Sequence, residues 1–245
     1  KMGGDGFRSE IRNESTGSTG NGKESRSKEK DNKEKGDQQK KVIGVIASGP
    51  SLMREDCETL RRICDEVIAI NDSYKLCPDA EHLYACDFRW WKHHIADVAR
   101  DFDGHLWTAN YGPGIGSNWC EKDKRPEAWG IECLEVDVDG TGICTTPGKI
   151  NGGRNSGFQA INLAYHLGAT ETILIGYDWG HTNGKAHFFG DHPKELNRGC
   201  GNQFEAWGAY MERIDQTRHR ILNASRVTNL HAFPWVSLEE LDPGE

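Results

Sequence analysis

Short apolar runs recur along the chain, each closed by a polar turn and most followed by a helical pattern. The first is Val42-Ile43-Gly44-Val45-Ile46-Ala47, which reads as a central strand buried on both faces. It ends in Ser48-Gly49-Pro50-Ser51, and the apolar spacing after it predicts a helix over about 54–64. Further strands are predicted at 66–70, 82–86, 105–109 and 172–176, with an alternating edge strand at 133–138 and another strand at 227–230. Residues 88–102 carry a helical pattern. Asn155-Ser156-Gly157 opens a helix that runs through Leu167, with Gly168 as its stop. A long final helix is predicted over 204–222 and a short capped one over 237–241. Residues 111–130 and 139–154 read as irregular, and 179–199 as a polar, histidine-rich loop.

Strands that alternate with helices predict an α/β fold, a doubly wound, mostly parallel, Rossmann-like sheet. The expected organisation is a disordered charged tail at 1–40 and a single nucleotide-binding domain at 41–245. The first forty residues are almost free of large apolar side chains and cannot offset their ordering entropy by burial. They carry a charge of +2, whereas the remainder carries −10 of the total of −8. An acidic globule argues against a broad nucleic-acid surface. The eight cysteines form no C-x-x-C pair, so reduced core cysteine is expected. No apolar run is long enough to span a bilayer and no signal-peptide pattern is present, so the expected location is the cytoplasm, the host's if the chain is phage-encoded.

In doubly wound sheets ligands bind beyond the carboxyl ends of the strands. Here those ends carry Ser48, Gly49, Ser51, Asn71, Asp87, Asn110, Asn155, Ser156, Gly157 and Asp178. The set suits a phosphate, a ribose and a base edge; singly, Asn71 fits a turn and Asn155 or Ser156 a helix cap. Neither a dinucleotide fingerprint nor a P-loop is present. His181, His187, Asp191 and His192 form a second cluster, compatible with a general base, a solvated loop or a metal site. Arg89-Trp90-Trp91-Lys92 fits either a stacking platform or a helix start with its indoles in the core.

The ordered segments at 42–52, 70–74, 155–157, 173–178 and 187–192 resemble those of the bacterial CMP-sialic acid-dependent sialyltransferases. The opening turn is also similar to that of the MptE-like 6-hydroxymethylpterin diphosphokinase-like proteins, and 42–240 looks like a group of small phage and prophage proteins. The sialyltransferase resemblance implies a glycosyltransferase-A-like variant of the fold and a CMP-linked nucleotide-sugar donor, with no other cofactor and no metal. It implies that Ser48, Gly49 and Ser51 approach the phosphate and that Asn71 contacts the nucleoside. Asn155, Ser156 and Gly157 would hold phosphate and ribose, and Gly176 and Asp178 would line the pocket; Asp87, at its strand end, joins the expected nucleotide-binding set and Asp178 the expected catalytic set. His192 matches the base that deprotonates the acceptor, and His187 competes for that role. The chain has Ser48 where the family has Asn, and Tyr177 does not match the family's phosphate-protonating tyrosines.

Three functional classes follow. The first is a nucleotide-sugar-dependent transferase. The second is a diphosphokinase-type enzyme with Mg²⁺ on Asp72, Asp87 or Asp178. The third is a non-catalytic phage accessory or virion protein. Acceptor and oligomeric state are left open.

Overall fold

The computed structural model describes residues 40–111, 126–196, 203–217, 219–242 and 244. The charged segment expected to be a tail lies outside the described residues, except for Lys40. Eight strands form one sheet: β1 (Val42–Ile46), β2 (Glu66–Ile70), β3 (His82–Tyr84), β4 (His105–Asn110), β5 (Ile131–Asp137), β6 (Lys149–Asn151), β7 (Glu171–Ile175) and β8 (Arg220–Asn223). The helices are α1 (Arg54–Ile63), α2 (Phe88–Asp101), α3 (Ser156–His166), α4 (Phe204–Met211) and α5 (Leu238–Leu241).

The strand order is β6-β5-β4-β3-β2-β1-β7-β8, and every pairing is parallel. The chain lays down β1 to β6 in one direction, then returns across β1 through α3 to place β7 and β8 on the other side. The order therefore reverses between β1 and β7, and the crevice above their carboxyl ends is where such sheets bind ligands.

Both faces of the sheet are covered, which explains the unbroken apolar runs of the central strands. On one face, Leu60 of α1 and Trp90, Trp91 and Val98 of α2 pack with Leu83 and Ile173. On the other, Phe158, Ile161 and Ala164 of α3 and Met211 of α4 pack with Ile43, Val45 and Leu174. Trp90 and Trp91 are thus core residues rather than an exposed stacking platform. No helix among the described residues is long and apolar enough to cross a membrane.

Three expectations are corrected. The helix begun at Phe204 stops at Met211, and 220–223 is a strand. Met211, Ile214 and Ile221 mimic a helical face, but β7 offers an open ladder edge and pairs with Arg220–Asn223. Residues 227–230 form no strand; the Asn229 amide donates to the Asp178 carbonyl at 2.8 Å and Thr228 Oγ1 to the Tyr177 carbonyl at 2.7 Å, which hold the segment as a loop. The strand foreseen at 133–138 spans Ile131–Asp137 and is not at the edge, because β6, inside the Gly- and Thr-rich stretch, pairs beyond it.

Candidate functional site

A cavity of about 550 Å³ opens above the β1/β7 switch point. Ser48, Gly49, Asn71, Asn155, Ser156, Gly157, Gly176, Asp178, His187 and His192 all line it. Ser51 and Asp87 do not. Asp87 caps α2, its carboxylate accepting from the Arg89 amide at 2.9 Å.

The turn after β1 is held by the end of β7. Gly49 donates its amide to the Gly176 carbonyl at 2.8 Å. The Ser51 amide and hydroxyl donate to the two Asp178 carboxylate oxygens at 2.7 and 2.8 Å. The position at which a sheet of this kind offers amides to a ligand phosphate is therefore filled by the protein's own carboxylate. Burial pushes the Asp178 carboxyl above its usual range, against the opposing pull of those hydrogen bonds. The packing leaves no room for side chains. A Cβ at Gly49 would fall 2.1 Å from Asp178 Oδ1, and one at Gly176, whose φ is +69°, would fall 2.5 Å from the Ala47 carbonyl oxygen.

The start of α3 is a second polar turn at the cavity. Asn155 caps it by accepting from the Phe158 amide at 2.8 Å, while first-turn amides have no intrahelical acceptor. Ser156 and Gly157 line the cavity, with the positive end of the helix behind them. Their position is fixed from two sides. Ser156 Oγ donates to Cys86 Sγ at 3.1 Å, beyond the end of β3. Tyr177, just after β7, donates its hydroxyl to the Gly157 carbonyl at 3.0 Å.

The histidine loop folds back over the β1 turn. Phe188 donates its amide to the Ser48 carbonyl at 3.1 Å, and the Ser48 hydroxyl lies 3.2 Å from His187 Nδ1. The rings of His187 and Phe189 stack 4.9 Å apart, and His192 lies 4.6 Å from His187. Burial, reinforced by the neighbouring His192, pushes His187 down to about 4. Burial also lowers His192, while the Asp72 carboxylate opposes that shift. His192 Nδ1 is buried and has no hydrogen-bond partner among the described residues. Burial therefore holds both imidazoles toward the neutral form; His187 Nδ1 is engaged by the Ser48 hydroxyl, whereas His192 Nδ1 has no partner among the described residues.

Two wall residues are held in the left-handed region, Asn71 with φ 50° and Trp179 with φ 56°. Strain of this kind at non-glycine positions concentrates at functional sites. Trp179, with Phe204 and Trp207 from α4, makes an aromatic wall that the sequence reading did not single out. Phe204 and Trp207 are spaced i, i+3, the one local signal for a shared helix face.

Among the described residues, no three His, Cys, Asp or Glu side chains converge as metal ligands. The three carboxylates considered for Mg²⁺ are engaged separately: Asp72 accepts from Lys75 Nζ and Trp90 Nε1, Asp178 from Ser51, and Asp87 from its own helix start. No family model, no curated protein and no solved structure matches the chain.

Proposed function

We propose that this chain is a metal-independent transferase that moves a sugar from a nucleotide-sugar donor to an acceptor hydroxyl, with His192 as the general base. The observation that carries the reading is one cavity lined both by the first-turn residues of α3 and by the His192 ring. In the reaction, His192 takes the acceptor's proton as the acceptor oxygen bonds to the anomeric carbon. The bond from that carbon to the phosphate oxygen breaks, and the phosphate leaves with the electron pair. The Ser156 and Gly157 amides and the helix dipole stabilise the departing charge. His187, held at Ser48, supports the loop. The Mg²⁺-dependent alternative would require Asp72, Asp87 or Asp178 to release its protein donors.

Calorimetric titration with CMP, UDP and GDP tests the binding half of this reading; no heat from any of them at millimolar concentration would overturn it. Ser156→Pro removes one amide at the first helical position, where proline is tolerated. Asn155 before it is already extended, with φ −152° and ψ 155°, as a residue preceding proline must be. The variant is expected to bind the preferred nucleotide about tenfold more weakly, the loss of roughly one hydrogen bond to a charged group. Against a donor found this way, His192→Gln is expected to lower transfer by about 10²–10⁴-fold with nucleotide affinity retained.

A further inference from the structure

The cavity has two chemically different sides. Ser48, Asn71, His187, Asp191 and His192 give one side hydrogen-bonding groups suited to hydroxyls. The other side is Trp179, Phe204 and Trp207, packed edge to face: Trp179 and Trp207 centroids are 6.4 Å apart at 74°, and Phe204 and Trp207 5.8 Å apart at 85°. None of the three is buried, although each is large and apolar. Trp179 Nε1 already donates to the Phe204 carbonyl at 2.7 Å, which fixes the indole and removes its donor from any ligand. A pyranose stacked on an aromatic wall needs carboxylates or amides beside it for its hydroxyls. Asp178, the cavity-lining carboxylate next to Trp179 in the chain, is committed to Ser51. A nucleobase needs only a π-face to stack. Tyr177 links this side to the start of α3, two residues before Trp179.

From this arrangement we infer that Trp179, Phe204 and Trp207 form the nucleobase subsite, so that the base lies on the β7 side of the switch point and the transferred sugar lies beneath the histidines on the Asn71 side. The assignment rests on the nucleotide-sugar reading above, but reverses the orientation in which Asn71 would hold the nucleoside.

The test is calorimetric titration of the full chain and of Trp207→Ala and Trp207→Phe with CMP, UMP, AMP, GMP, ribose 5-phosphate and methyl glucoside. Loss of a base-stacking ring weakens binding roughly ten- to hundredfold. Trp207→Ala is expected to weaken the preferred nucleoside monophosphate by that factor and to leave ribose 5-phosphate unchanged, while Trp207→Phe recovers most of the loss and shows that the fold is intact. If a nucleotide binds and Trp207→Ala leaves its affinity unaltered, or weakens ribose 5-phosphate equally, the subsite is refuted and the transferase reading stands. Methyl glucoside binding that depends on Trp207 while nucleotide binding does not would refute it as well. If neither the nucleotides nor ribose 5-phosphate binds, the transferase reading fails and this inference fails with it.

Discussion

His187 makes the protein's stability depend on pH in a calculable way. Its imidazole is pushed down to about 4 by burial and by His192, against an ordinary value near 6.5. Above about pH 6.5 the ring is neutral in both the folded and unfolded states, so it adds no pH dependence. Between 6.5 and 4 the unfolded chain binds a proton that the folded chain refuses, and stability falls as the pH drops. Below 4 both states are protonated and the dependence levels off. The full depression corresponds to about 3 kcal/mol, of which about 2 kcal/mol is lost between pH 7 and pH 5. Burial lowers His82, His94, His192 and His219 in the same direction, so the whole protein should lose more than this single share. His187→Asn removes the titrating ring while its amide can still reach the Ser48 hydroxyl. The assay is urea unfolding of both proteins at pH 7.0 and 5.0. Wild type should lose about 2 kcal/mol more than the variant over that interval. Equal losses would refute the account, since they would mean that the ring is solvated or already paired in the folded state.

Two further perturbations address the turn that closes the cavity floor. Gly176→Ala forces a Cβ onto a backbone at φ +69° and within 2.5 Å of the Ala47 carbonyl oxygen, and should cost about 3 kcal/mol in thermal or urea unfolding; a change below about 1 kcal/mol would show that the turn relaxes freely. Asp178→Ala strips two charge-assisted acceptors from the Ser51 amide and hydroxyl and should cost about 3 kcal/mol. Asp178→Asn retains one carbonyl oxygen for the amide and should recover part of that loss, whereas equal destabilisation by both variants would mean that the bond to the Ser51 amide adds nothing.

Much of the architecture is written in local pattern. The apolar runs at 42–46, 66–70 and 171–175 are nearly continuous because these strands are covered on both faces, and Asn155 before Ser156-Gly157 marks a helix start by its capping chemistry alone. Polar residues at the ends of those runs mark the edge of the sheet at which the cavity opens. Local pattern failed where two structures share one spacing. Ile214 and Ile221 fit a helical face as well as a turn and a strand, and the open edge of β7 decided between them. β6 is three residues long, too short for periodicity to register.

The candidate site was legible as a set of residues but not as an arrangement. Ten of its proposed members share a cavity because parallel strands bring their carboxyl ends to one edge. Which of them are already engaged by the protein itself depends on pairing between segments more than a hundred residues apart. Asp178 fills the turn at Ser51, a contact no sequence spacing encodes. Trp179 and Trp207 meet only because α4 packs back against the end of β7. The chain itself determined where strands and helices form, since those choices depend on neighbours a few positions away. Tertiary structure alone determined strand order, the self-occupied turn and the aromatic wall, since each needs a partner brought from a distant part of the chain.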